Sequence, residues 1–207
     1  MQEPDRPAEQ IEQIHAMMAR STTFLSLSGL SGLAAGLIGL GAAWQISRTI
    51  HTVWLTDELF VSLRDSPSMV RSLTGLFFWT LIAALTIAFL FTLRRAKRYH
   101  LGVWNMASRR FALHLALPLL AGGAFVAAIS FQGTFELVCP AMLLFFGLAL
   151  VSAGKYSFPE TVIFGVVEMA LGLAAAFWVE GGLILWACGF GLVLVGYGLV
   201  MYLKYDR

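Results

Sequence analysis

Residues 161–179 read TVIFGVVEMALGLAAAFWV, and residues 182–203 read GLILWACGFGLVLVGYGLVMYL. Only Glu180 and Gly181 separate them. A helix that crosses a bilayer needs about 20 predominantly apolar residues, and both runs meet that length. The V-E-G-G junction is too short for anything but a tight reversal, so the pair predicts a hairpin of two membrane spans. Four more runs of the same kind lie upstream, at about 22–46, 73–93, 111–131 and 137–154. The expected fold is all-α: a polytopic transmembrane bundle of six helices over 22–204, preceded by a segment, 1–21, outside the membrane.

Composition agrees. Of 207 residues, 58% are hydrophobic and 13% charged, and the mean hydropathy is +0.77. A soluble domain carries about 25% charged residues, so this chain has too few to cover a water-facing globule. The net charge of +2 is too small to point to nucleic acid as a direct partner. The partner that composition implies is the lipid bilayer. Cys139 and Cys188 both fall inside apolar runs and form neither a disulfide framework nor a metal motif. No metal or cofactor is expected. The first residues, MQEPDRPAEQIEQ, are acidic and lack a small-residue cleavage site, so no cleavable signal peptide is expected.

Lys and Arg favour the cytoplasmic side of short loops. With the N-terminus inside, eleven of the 14 Lys and Arg residues fall on inner segments. Only Arg48, Arg64 and Arg71 fall outside. Six spans return the C-terminus to the same side, so both termini are expected in the cytoplasm. Between the spans lie an outer loop, 47–72, and a basic inner loop, 94–110. The outer loop holds Thr56, placed to cap a short interfacial helix that Pro67 would stop. The inner loop offers Arg94, Arg95, Lys97, Arg98, Trp104, Arg109 and Arg110, which serve as an orientation signal or as contacts for anionic lipid headgroups. Within 1–21, Ile11, Ile14, Met17 and Met18 recur at helical spacing among Glu9, Glu12 and Gln13, as in an amphipathic helix on the membrane surface or on a partner. Three spans followed by three would relate the halves by inverted topology, although the halves share no convincing sequence match.

Few polar groups enter the spans. The first run places Gly29, Gly32, Gly36, Gly39 and Ala43 at intervals of three and four, a smooth stripe for close helix packing. The stripe serves either a homo-oligomer or contacts within the chain. Its G-L-S-G at 29–32 matches the serine motif of rhomboid-type intramembrane proteases. That chemistry requires a base near Ser31, and of the four His residues only His114 lies in a span, near its inner edge. Pro118, with Gly122 and Gly123, should kink or loosen the third span. Pro140 sits in the first turn of the fourth, where its missing N–H is harmless.

Glu168 is the most informative residue. It lies near mid-membrane with no opposite charge nearby in sequence. A charge there costs a few kcal/mol even on lenient scales, so it should face the bundle interior, be protonated, or have a partner. Gly165 and Gly172, at i−3 and i+4, share its face and place it on the packed side. It is either a hydrogen-bonded acid that holds helices together or a proton- or solute-coupling site. A hairpin centred near Gly181 puts Leu194 level with it, with Tyr197 about one turn beyond; His114 is a third candidate partner.

MMARSTTFLSLSGLSGLAAG, RRAKRYHLGVWN with ALPLLAGG, PAMLLFFGLALV, and GFGLVLVGYGLVMYLKYD together resemble an uncharacterised family of small six-span proteins of the bacterial inner membrane. The resemblance spans nearly the whole chain except the first ten residues and the outer loop. It implies a multi-pass inner-membrane location and no known reaction. This chain departs from the family pattern at Leu194, where the resemblance leads one to expect His, which removes a Glu–His pair. The function expected is non-enzymatic, exercised through membrane or protein partners in envelope organisation or signalling. A small-solute or proton-coupled transporter or channel using Glu168 is the alternative.

Overall fold

A computed structural model describes residues 29–50, 66–98 and 106–206. Among these residues there are helices and turns but no strand. Six helices are long and apolar enough to cross a membrane, so the chain is a multi-pass all-α membrane bundle. They are α1 (Gly29–Ile50), α2 (Pro67–Arg98), α3 (Met106–Phe131), α4 (Val138–Gly154) and α5 (Pro159–Phe177), then α6 as the apolar span Val179–Tyr205. The amphipathic segment 1–21, Thr56 and Trp104 lie outside the described residues.

Two expected loops are shorter than the apolar pattern implied, because helices continue past the apolar runs. α1 extends to Ile50, and α2 starts at Pro67 and ends at Arg98. Arg94, Arg95, Lys97 and Arg98 therefore belong to a helix, and Arg109 and Arg110 lie in the first turns of α3. Backbone groups near the bilayer need partners, and prolonging the helix supplies them. Pro67 opens α2: the Ser66 carbonyl accepts from Met69 and Val70 N–H at 3.0 and 3.2 Å, and the proline's missing N–H costs nothing there. The interfacial helix that it is expected to stop lies outside the described residues.

The connections follow from local chemistry. α3 closes with Gly133 at φ +75°; the Thr134 N–H reaches the Ile129 carbonyl at 3.0 Å and the Gly133 N–H reaches Ser130 at 3.1 Å. This is the Schellman ending, which requires the left-handed conformation glycine tolerates. Phe158 is extended and Pro159 opens α5. Trp178, at φ −119° and ψ 77°, breaks the chain between α5 and α6. α6 is not uniform: Cys188–Val193 and Tyr202–Asp206 are π-helical. Pro118 lies inside the continuous α3, where Gly122 packs against the Phe145 ring of α4.

α1 packs between α2 and α6, and α4 packs between α5 and α3; α6 also meets α4 and α5. The groupings 2–1–6 and 5–4–3 exchange when three is added to each helix number, modulo six. These groupings match an inverted repeat of three spans, but the contacts of α6 with α4 and α5 have no comparable counterpart between α3 and α1 or α2.

The glycine stripe of α1 is occupied within the chain. A Cβ on Gly29 would strike Tyr202 backbone, one on Gly36 would come within 2.6 Å of Val195 Cγ2, and one on Gly39 would strike Phe190 backbone. Gly32 lies against Gly198, where a Cβ would come within 2.9 Å of its Cα. Ala43, just beyond, is buried. The stripe thus serves α6, not a second copy of the chain. By contrast, Gly41 faces open space. Gly36→Ala should destabilise the bundle by about 1–3 kcal/mol through overpacking. Gly41→Ala should be neutral or slightly stabilising, as its helix propensity suggests. Equilibrium unfolding in bicelles measures both, and equal effects would contradict the packing of α1 on α6.

Candidate functional site

Glu168 has no exposed surface. Its face of α5 is set by two glycines: a Cβ on Gly165 would meet the Gly147 carbonyl of α4 at 2.7 Å, and one on Gly172 would meet Leu144 N at 2.8 Å. α5 therefore lies backbone-to-backbone on α4, and Glu168, between the glycines, enters the space α4 leaves beside α6. There its Oε2 lies 2.5 Å from where a Cβ on Gly189 would sit, and Leu143 Cδ2 is equally close. Gly189 is in the π segment of α6. Only glycine leaves room for the carboxyl at that point.

Among the described residues neither carboxyl oxygen of Glu168 has a hydrogen-bond partner. The expected partners lie elsewhere. The structure places Gly189, not Leu194, against Glu168, because the chain reverses at Trp178 and not at Gly181. Moving the reversal shifts the facing position by twice that distance. Tyr197 shares a hydrogen bond of 2.9 Å with Thr161, and its ring lies 4.7 Å from Phe164. His114 is exposed on α3, where Nδ1 is 3.2 Å from Ser152 Oγ and the ring is 4.9 Å from Tyr156. The three residues read as one intramembrane site are therefore not hydrogen-bonded to one another: His114 sits apart on α3, against α4, and Tyr197 lies on the α5–α6 seam toward Thr161. Ser31 is buried on α1, and His114 is already engaged with α4.

Beyond Tyr197, at the end of the α5–α6 hairpin, lies a cluster that sequence reasoning did not single out. Lys204 Nζ donates to Glu160 Oε1, Tyr205 donates to both Glu160 oxygens at 3.2 Å, and Phe158 lies 4.1 Å from the Tyr205 ring. One signal for it was legible: Glu160 and Lys204 are opposite charges just past the open end of a two-helix hairpin. A second missed feature is Trp186. It is buried between Phe77 of α2 at 5.2 Å and Phe190 at 5.3 Å, with its indole N–H unpartnered among the described residues.

Of the basic residues, Arg94 lies 6.0 Å from the Phe91 ring, and Arg109 and Arg110 are exposed. Among the described residues no group of three or more His, Cys, Asp or Glu could hold a metal ion.

Among the described residues Glu168 forms no hydrogen bond that would tie one helix to another. Glu168→Met, of similar volume, removes the unmet polar group and should stabilise the bundle by about 1–3 kcal/mol. Unfolding in bicelles measures this, and a loss above about 1 kcal/mol would reveal a donor that the packing does not contain. No family model matches the chain, and neither does any curated protein or solved structure.

Proposed function

We propose that the chain is a non-enzymatic protein of the bacterial inner membrane, with both termini in the cytoplasm, acting through membrane or protein partners in envelope organisation or signalling. The observation that supports this best is the closure around Glu168. The one acid near mid-membrane has no exposed surface, and Tyr197 and His114 are bonded to other residues, so no direct hydrogen bond joins the three among the described residues. α2 and α3 meanwhile turn Trp79, Leu85, Leu117 and Leu120 outward, as lipid- or partner-facing helices do. The basic residues Arg94, Arg95, Lys97, Arg98, Arg109 and Arg110 then serve at the inner headgroup layer, where each contributes about 1 kcal/mol of attraction to anionic lipid.

A second reading, a small-solute or proton-coupled transporter using Glu168, is favoured by two observations. The carboxyl is unpartnered among the described residues, and the groupings 2–1–6 and 5–4–3 match the two halves of an inverted repeat. Buried ionisable groups in spans are functional candidates by default.

Purified protein in sealed vesicles separates the two. Under the first reading an imposed pH gradient decays no faster than in empty vesicles. A proton flux that is lost in Glu168→Gln, with the variant folded, would replace the first reading by the second. Orientation is tested by reporter fusions after residues 60 and 100: position 60 should report outside and position 100 inside, and the reverse would overturn the topology.

A further inference from the structure

Among the described residues, the hydroxyl and charged side chains that bond across the α5–α6 seam all lie on one side of Glu168. On α5 the face that carries Glu168 also carries Phe164, Thr161 and Glu160, four, seven and eight residues toward the N-terminus. Thr161 is fully buried and Phe164 nearly so. Across the seam they meet Tyr197, Lys204 and Tyr205. Moving from Glu168 toward that end, the order is the Phe164–Tyr197 ring contact, the Thr161–Tyr197 hydrogen bond, and the Glu160–Lys204–Tyr205 cluster. Moving the other way, α5 offers Gly172 and Ala175, packed among Leu143, Leu144 and their neighbours. Water or a proton could follow hydroxyls and charges in the first direction. In the second it would meet hydrocarbon and the buried indole of Trp186, whose N–H donates but has no lone pair with which to pass a proton on.

We infer that Glu168 exchanges its proton solely with the Lys204 end of the bundle, through the α5–α6 seam, and that Tyr197, held by Thr161 and Phe164, is the gate. This rests on the reading of Glu168 as a coupling group. The surroundings of Glu168 are uncharged: α4 presents Leu143, α6 presents Gly189 with Cys188 beside it, and on α5 the nearest acid toward the Lys204 end, Glu160, is about 12 Å away along the axis. Glu180 lies past the Trp178 reversal, at the opposite end. When Tyr197 leaves Thr161, a water admitted to the seam takes the carboxyl proton, leaving carboxylate and hydronium; the reverse step reloads the acid. The π segment that contains Gly189 gives α6 a place to yield, since such widened turns recur where helices move or bind.

The test is infrared spectroscopy of the full chain in sealed vesicles of known orientation. The protonated-carboxyl band of Glu168 is assigned by its loss in Glu168→Gln. pH is then stepped on one side at a time with impermeant buffers. The band should respond to a step on the Lys204 side and not on the Glu180 side. Tyr197→Phe should speed the response about fivefold, the factor that one lost neutral hydrogen bond gives. Thr161→Val removes the same bond from the other helix and should do the same, which covers misfolding of either variant. A response to the Glu180 side, or an unchanged or slower response in the folded variants, would overturn the route while leaving the coupling reading intact. A band that answers to neither side would overturn the coupling reading and the route with it.

Discussion

Lipid gives helices no hydrophobic reason to associate, so a bundle in a membrane is held by how closely its backbones approach. In this chain that approach is made at glycine. Gly29, Gly32, Gly36 and Gly39 seat α1 on α6, with Gly198 returning the contact from the other side. Gly147, Gly154, Gly165 and Gly172 seat α4 and α5 on each other. The two close pairs fix the rest: α2 lies on the back of α1, α3 lies on the back of α4, and α6 joins the halves. The aromatic run Phe77, Trp186, Phe190 and Phe146 crosses from α2 through α6 to α4 and fills what the glycines leave open.

The same close approach creates the functional question. Two helices this near leave little room for a side chain between them, yet Glu168 is placed there, and it fits because Gly189 stands opposite. An unmet carboxyl is a cost, about 1–3 kcal/mol by the measure of unsatisfied buried groups. The neighbouring polar residues do not relieve it, since Thr161 and Tyr197 satisfy each other and Glu160 is taken by Lys204 and Tyr205. The bundle is thus closed around an acid that its own packing does not use.

Much of the fold was legible in the chain, because span length and apolar content leave one solution for backbone groups in lipid. The packed side of α5 was legible too: Gly165 and Gly172 bracket Glu168 at helical spacing. The partners of each face were not. A glycine stripe states that something comes close without naming it, and α6 rather than a second chain turned out to cover α1. The facing position of Glu168 depended on where the hairpin turns. Glycines at 181 and 182 marked the reversal by composition, but the break falls at Trp178, whose ring packs over Gly181. That displacement brought Gly189 opposite Glu168 and moved Tyr197 down to Thr161. The π segment of α6 was invisible as well, since nothing in CGFGLV sets a widened turn apart from an α-helical one.

The central claim is that the Glu168 carboxyl is shut against Gly189 across the α5–α6 seam. A double-mutant cycle with Glu168→Ala and Gly189→Ala, read as unfolding free energy in bicelles, addresses it most directly. Gly189→Ala alone puts a methyl group where Oε2 and Leu143 stand, and much of its cost should vanish once the carboxyl is gone, giving a coupling of about 1 kcal/mol or more. Strict additivity of the two substitutions would show that the carboxyl and Gly189 do not meet.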